Sequence, residues 1–181
     1  MKTTLSTLAA IVLFVAVGSA AFAQSASVSS GATIETPISA SATSALAFGT
    51  ITKGATATVT GTAATAAGVT FSGDESDNIT VSVPAAATIS TTSGSGASMT
   101  VTISRGSLRV NTTSTQGTAA ALDASSGSAT TALSSDASGN GTGSDGLGQT
   151  FLWIGGTVSP AATQQRGVYT GSFTVSAAYS N

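Results

Sequence analysis

Apolar and polar residues alternate with a period of two along much of the chain. The alternation is clearest in NITVSVP at 78–84, in MTVTIS at 99–104 and in GVYTGSFTVSAAYSN at 167–181. Successive side chains of a β-strand point to opposite faces, so this period predicts half-buried strands. Gly, Ser and Asp interrupt the strand patterns at short intervals, which favours an antiparallel sandwich or barrel. We therefore expect an all-β fold with no amphipathic helix.

Two stretches depart from this alternation. Residues 151–154 are continuously apolar and include the only Trp, Trp153, which predicts a strand buried on both faces. Residues 112–148 consist mainly of Ser, Ala, Thr, Gly and Asp. Because so few apolar residues cannot offset the entropy of ordering a segment, we predict a long flexible loop insertion there.

The N-terminus has the pattern of a secretory signal peptide. Lys2 supplies a positive charge, an apolar stretch covers 5–17, and AFA at 21–23 fits the small-residue cleavage rule. We therefore predict a signal peptide at 1–23 and a single β-sandwich domain at 24–181. The apolar stretch is shorter than the roughly 20 residues of a membrane span. We expect an exported bacterial protein, secreted, periplasmic or on the cell surface, with no membrane span after cleavage.

The composition argues against several classes of function. Charged residues make up 7% of the chain, and the part after residue 23 has four cations, Lys53, Arg105, Arg109 and Arg166. This is too few for the phosphate neutralisation on which nucleic-acid binding depends. The chain has no His and no Cys, which removes the usual catalytic triads and zinc sites. We predict no enzymatic activity, no catalytic residue and no cofactor.

Carboxylates occur in two places where calcium could bind. GDESDN at 73–78 contains Asp74, Glu75 and Asp77, and NGTGSDGL at 140–147 contains Asp145. Several oxygen ligands are what calcium requires. Asp, Asn and Ser also favour polar turns, and we interpret 73–78 as a hairpin turn and the glycine-rich segment as a loop. The calcium interpretation is the weaker of the two at both places.

Three stretches together resemble the DUF4402 domain family of bacterial exported proteins. They are TPISASATSALAFGTITKG at 36–54, GVTFSGDESDNITVSVP at 68–84 and GGTVSPAATQQRGVYTGSFTVSAAYSN at 155–181. The resemblance begins near residue 34, and 112–148 departs from it. The family is similar in style to pilins and other Ig-like surface subunits, which implies an Ig-like or pilin-like sandwich of about seven to nine strands. It implies no catalytic residues.

Both ends of the mature chain suggest self-association. Residues 24–38 form an alternating segment that could act as a donor strand, adding to the sheet of a neighbouring copy. The same segment could instead be the first strand of its own sandwich, and the sequence leaves both possibilities open. The apolar residues that we expect to mediate self-association at the two ends are Val28, Ala32, Ile34, Ile38, Phe173, Val175 and Tyr179.

The expected function is therefore that of a structural surface protein, a fimbria-like or pilus-like subunit that assembles by strand addition. Its expected partners are other copies, other surface subunits or a periplasmic chaperone. The alternative is a secreted adhesive or carbohydrate-binding sandwich, assisted by calcium, in which Trp153 would stack on a sugar ring.

Overall fold

A computed structural model describes residues 32, 35–75, 77–91, 96–134 and 147–180. The described residues contain thirteen β-strands and two 3-10 turns, and no α-helix. No helix in this part of the chain is long and apolar enough to cross a membrane. The strands are β1 (Ser39–Ser44), β2 (Ala57–Val59), β3 (Ala67–Asp74), β4 (Asn78–Ser82), β5 (Ala86–Thr91), β6 (Ser98–Ile103), β7 (Leu108–Asn111), β8 (Ala120–Leu122), β9 (Ser128–Ala132), β10 (Leu147–Ile154), β11 (Gly156–Val158), β12 (Tyr169–Thr170) and β13 (Ser176–Tyr179).

The strands form three antiparallel sheets, which confirms the all-β antiparallel prediction. Sheet A has the order β1-β3-β10-β7-β8, sheet B the order β12-β5-β6-β11-β2, and sheet C the order β13-β4-β9. A bridge between Ser134 and Gln149 joins sheet C to sheet A. The sheets enclose a shared apolar core, to which β3, β4, β6 and β10 contribute most of the buried side chains.

The number of strands exceeds the expected seven to nine because three long stretches change sheet partway. β4 lies in sheet C and continues into β5 of sheet B, and β12 of sheet B continues into β13 of sheet C. Likewise, β10 of sheet A and β11 of sheet B are separated by Gly155 alone. Chains that switch sheets in this way make the corners of sandwich folds.

The strand β10 is buried on both faces, as the apolar run at 151–154 predicts. Leu152 and Ile154 point into the main core, whereas Trp153 packs with Val59 and Ala66 in a second, smaller cluster. Trp153 is 9% exposed, and its ring stacks on that of Phe151 with centroids 6.3 Å apart. Since side chains two residues apart share a face of a strand, this stacking follows from the alternation within β10.

The predicted loop insertion at 112–148 needs correction in its first part. The 3-10 turn Gln116–Thr118 and the strands β8 and β9 lie within 112–134, and β9 pairs with β4 along all five of its residues. Ala124 and Leu133 are fully buried, so these two side chains anchor a stretch that otherwise has small residues. Backbone pairing needs no large side chain, which is why composition gave a misleading picture here. Residues 135–146 lie outside the described residues.

A turn stabilised by an aspartate side chain helps to order the stretch between β8 and β9. The Ser125 hydroxyl donates to the carboxylate of Asp123, and the Ser125 backbone N–H donates to the same oxygen at 2.8 Å. These two hydrogen bonds hold the pKa of the Asp123 carboxyl below its ordinary value. Asp is favoured in such turns because its side chain can bond to the backbone two residues on.

Gly155 makes the change from sheet A to sheet B possible. Its carbonyl oxygen accepts a hydrogen bond of 3.0 Å from the Ser104 N–H. A Cβ atom built at this position would collide with the carbonyl oxygen of Val59 and lie 2.9 Å from the Gly61 nitrogen. The backbones therefore approach more closely here than any side chain would permit.

We predict that Gly155→Ala lowers the free energy of unfolding by about 2 kcal/mol or more, because backbone atoms cannot move aside as a flexible side chain can. Gly117→Ala is the control, since a Cβ on Gly117 would meet nothing within 4 Å. That control should change stability by less than about 0.5 kcal/mol. Urea denaturation monitored by Trp153 fluorescence measures both, and equal midpoints would contradict the account of the corner.

Candidate functional site

A large apolar groove of about 1080 Å³ lies between one edge of sheet A and one edge of sheet B. The strand β1 forms one side, and residues 164–175, which include β12, form the other side; we call this second side the rim. The floor is apolar and comes from several strands and from the segment that follows β1. Its larger side chains include Leu46, Phe48, Val69, Ile89, Met99 and Phe173.

The groove is open because β1 has side chains too small to cover the core. In the antiparallel pairing of β1 with β3, Ala40 lies opposite Phe71 and Ala42 lies opposite Val69. Directly opposed residues share a face of the sheet, so Ala40 and Ala42 face the core side. All six residues of β1 are nevertheless exposed. At this edge, therefore, nothing in the described part of the chain covers the core face of sheet A.

Both sides of the groove have unpaired backbone edges within the described residues. There, β1 pairs with β3 alone, β12 with β5 alone and β13 with β4 alone. Residues 171–175, between β12 and β13, belong to no strand ladder. A row of unpaired N–H and C=O groups is a template on which a further strand can pair. The groove is thus shaped to receive an extended segment between β1 and the rim.

Beyond the start of β1, three hydrogen bonds join Thr36, Asp74 and Tyr179, and we call them the Thr36–Tyr179 clasp. The Thr36 N–H donates to Oδ2 of Asp74 at 2.8 Å, and the Tyr179 hydroxyl donates to the Thr36 carbonyl oxygen at 2.6 Å. The Asp74 N–H donates to the Tyr179 hydroxyl at 2.8 Å. Gly73 leaves room for this arrangement, since a Cβ there would lie 2.5 Å from the Tyr179 hydroxyl oxygen.

The charges near the groove are separated by sign. Two of the four cations after residue 23, Lys53 and Arg166, line it, and none of the described lining residues is a carboxylate. The carboxylates Asp74, Glu75 and Asp77 follow the end of β3, next to the clasp. The chain as a whole has a net charge of −2, so the cationic lining is a local feature.

Comparison with known protein families identifies the chain. The model of the DUF4402 family, described as a domain of unknown function, matches residues 38–179. The chain belongs to the DUF4402 family. This confirms the resemblance that the three sequence stretches suggest. No curated protein matches the chain.

In this DUF4402 chain, the residues expected to mediate self-association fall into two groups. Ile38, Phe173, Val175 and Tyr179 are half-buried and pack against the main core of their own chain, and Phe173 and Val175 also line the groove. Ala32 is exposed. Val28 and Ile34 lie outside the described residues. Self-association through these side chains stays a prediction.

The predicted donor-strand extension at 24–38 is held by its own chain at its C-terminal end. Thr36 is fixed by the clasp, and Ile38 packs on the core just before β1 begins. Residues 36–38 therefore belong to the compact unit that starts at Glu35, and the family match begins at Ile38. The part that remains a candidate donor is the eleven residues 24–34, which the described residues include only at Ala32.

The acidic candidates do not form a hairpin turn, because β3 and β4 lie in different sheets. The chain passes from sheet A to sheet C between β3 and β4. The carboxylate of Asp74 accepts the Thr36 N–H, and the backbone carbonyl of Asp77 accepts the Leu133 N–H at 2.8 Å. No group of three or more acidic side chains within the described residues could hold a metal ion. Asp145 lies outside those residues, and calcium binding stays a prediction.

The sequence analysis missed the groove and its two cations. β1 is SASATS, which shows no apolar alternation, so the strand that leaves the groove open gave no strand signal. Lys53 and Arg166 are 113 positions apart in the numbering (166 − 53) and only the fold brings them to the same groove. The only sequence feature that pointed to these two residues is the scarcity of cations, since two of just four cations after residue 23 make one surface positively charged.

We predict that Tyr179→Phe destabilises the domain by about 1–3 kcal/mol, since it removes a donor and an acceptor and leaves the partly buried Asp74 N–H without its partner. Amide exchange at Thr36 and Asp74 should accelerate. Thr36→Ala is the matched control, because the clasp uses only the backbone of Thr36. If Tyr179→Phe and Thr36→Ala both leave stability and exchange unchanged, the clasp has no structural role.

Proposed function

We propose that this protein is an exported structural subunit of a surface assembly, whose copies join by adding a β-strand along the groove. The observation that supports this proposal most strongly is the apolar groove between β1 and β12, two edge strands that each pair with a single strand in the described part of the chain. A fold that exposes both an apolar floor and two rows of unpaired backbone groups has the properties of a strand-acceptor site.

The two edge strands lack two of the features that commonly prevent strand addition. Natural edge strands are commonly protected by charged side chains or Pro. Neither β1 nor β12 contains a charged residue or Pro. Val168, directly before β12, is 69% exposed and adds an apolar side chain to the rim. An added strand would gain about 0.5–1.5 kcal/mol for each net hydrogen bond, in addition to the burial of the groove floor.

A structural role also agrees with the available chemistry. The titratable side chains that line the groove are Lys53, Arg166 and Tyr169, and the chain has no His or Cys. Export and surface location rest on the signal peptide predicted at 1–23, which lies outside the described residues. Fimbria-like assembly, a periplasmic chaperone and the absence of enzymatic activity all belong to this proposal.

The alternative of a carbohydrate-binding module gains no support from Trp153. Its side chain is buried between Val59 and Ala66 and stacked on Phe151. A ring in that position offers no open face on which a sugar could stack. We therefore do not propose a glycan site there.

The proposal predicts that the mature chain 24–181 self-assembles in a concentration-dependent way, and that Ala42→Lys raises the concentration required by about tenfold or more. Ala42 faces the groove, so a lysine there puts a charge where the added strand would pack. Analytical ultracentrifugation and negative-stain microscopy measure the assembly.

Ser39→Lys is the matched control, because Ser39 pairs with Ser72, has its side chain on the other face of β1 from Ala42, and does not line the groove. It should assemble within about twofold of the unmodified chain. A mature chain that stays monomeric at every concentration would refute the proposal. So would an Ala42→Lys variant that assembles as well as Ser39→Lys.

A further inference from the structure

The groove has two chemically different ends, and strand pairing shows which residues lie at each. β1 starts opposite Ser72, near the clasp, and ends opposite Gly68. On the other side, Tyr179 of β13 pairs with Ile79, and Tyr169 of β12 pairs with Thr91. Both sides thus extend from the clasp, with β1 leading away from it and residues 169–179 leading back towards it. We call the end at Tyr179 and Asp74 the clasp end and the end beyond Tyr169 the far end.

The two cations of the groove belong to the far end. Arg166 precedes Tyr169 by three residues. Lys53 is next to Gly54, whose N–H donates to the Pro160 carbonyl at 3.0 Å, so Lys53 lies beside the segment that leads to Arg166. Both side chains are exposed. The far end is therefore positively charged.

The clasp end is negatively charged, and it is also where the N-terminal segment joins the domain. Asp74, Glu75 and Asp77 lie there, and Asp74 is itself part of the clasp. Since the clasp fixes Thr36, residues 24–34 are attached to the domain at this acidic end.

The candidate segment has the length and the side-chain pattern to fill a groove. Eleven extended residues span about 36 Å, which exceeds the roughly 20 Å of the six residues of β1, so the segment is long enough to run along that side of the groove. Residues 25, 27, 29, 31 and 33 are Ser, Ser, Ser, Gly and Thr, whereas the other parity contains the apolar residues Ala26, Val28, Ala32 and Ile34. A strand with this pattern would turn one apolar face to the groove floor.

We propose that residues 24–34 of one copy occupy the groove of a second copy, with Ile34 at the far end of the acceptor and Gln24 at its clasp end. This inference rests on the proposed function and adds the identity, direction and polarity of the contact. The acidic end of the donor then meets Lys53 and Arg166 of the acceptor. The new α-amino group, formed by cleavage after Ala23, meets the acceptor's carboxylates at the other end.

Insertion into the chain's own groove would reverse both charge contacts. The segment would start at its own clasp end and place its α-amino group beside Lys53 and Arg166, where like charges repel. The chain would also have to fold back directly before Thr36, whose backbone is held on both sides by the clasp. In the intermolecular arrangement the donor strand runs antiparallel to the rim. Because this head-to-tail contact does not close on itself, copies add in a single direction.

The test is a charge exchange between two full-length mature chains. One carries Lys53→Glu and Arg166→Glu, and the other carries Glu75→Lys and Asp77→Lys; Asp74 is left unchanged because its carboxylate belongs to the clasp. Alone, each variant should need about tenfold or more protein to assemble, since its two ends now carry like charges. An equimolar mixture should assemble at a lower concentration than either variant alone, because the donor's clasp end and the acceptor's far end then carry opposite charges. Rescue should be incomplete, because the α-amino group still meets the new lysines when the second variant is the acceptor.

Several results would overturn the inference. If the unmodified chain assembles and the variants do so equally well alone, or if the mixture does not restore assembly, the polarity is wrong while strand addition remains supported. If the unmodified chain does not assemble, the proposed function fails as well. Circular dichroism verifies folding, and the milder pair Glu75→Gln and Asp77→Asn replaces a lysine variant that does not fold. That pair should show a smaller assembly defect than the lysine pair, because it removes the attraction to Lys53 and Arg166 without adding repulsion.

Discussion

Small side chains limit how much of the core this fold can cover, and the open groove follows from that limit. The chain has six Phe, one Trp and two Tyr, and most of its remaining residues are small. Where larger residues alternate, as in β4 and β10, opposing sheets meet and the side chains are buried. Where β1 contributes only Ser, Ala and Thr, no side chain reaches across to sheet B. The apolar surfaces of Val69, Ile89 and Met99 therefore stay partly uncovered.

The same limit explains why backbone contacts are so important in this domain. The corner at Gly155 and the space beside Gly73 both depend on a missing Cβ, and the clasp uses the backbone of Thr36 and of Asp74. Backbone hydrogen bonds do not depend on large side chains, so they can order segments that burial alone would leave loose. This is also how β9, a strand of Ser, Ala and Thr, pairs along its full length with β4.

The sequence predicted those parts of the fold in which side-chain chemistry and strand period agree. The alternation at 78–84 and 99–104 predicted β4 and β6, and the apolar run around Trp153 predicted a strand buried on both faces. It did not predict β1 or β9, because their residues are nearly all small or hydroxylated and show no alternating apolar pattern. Nor could it predict which sheet each strand joins. The groove depends on the order of the strands in the sheets. The same strand order brings Lys53 and Arg166 to the groove.

The central claim is that the edges of β1 and the rim become paired when copies of the protein associate. Amide hydrogen exchange on assembled and dissociated protein tests this claim most directly, because it reads the backbone groups themselves. We predict that the amides in 39–44 that do not already bond to β3, and those in 171–175, become protected by about a hundredfold on assembly, since unpaired edge groups exchange freely and ladder groups do not. Unchanged exchange in both segments, with new protection elsewhere on the domain, would contradict it.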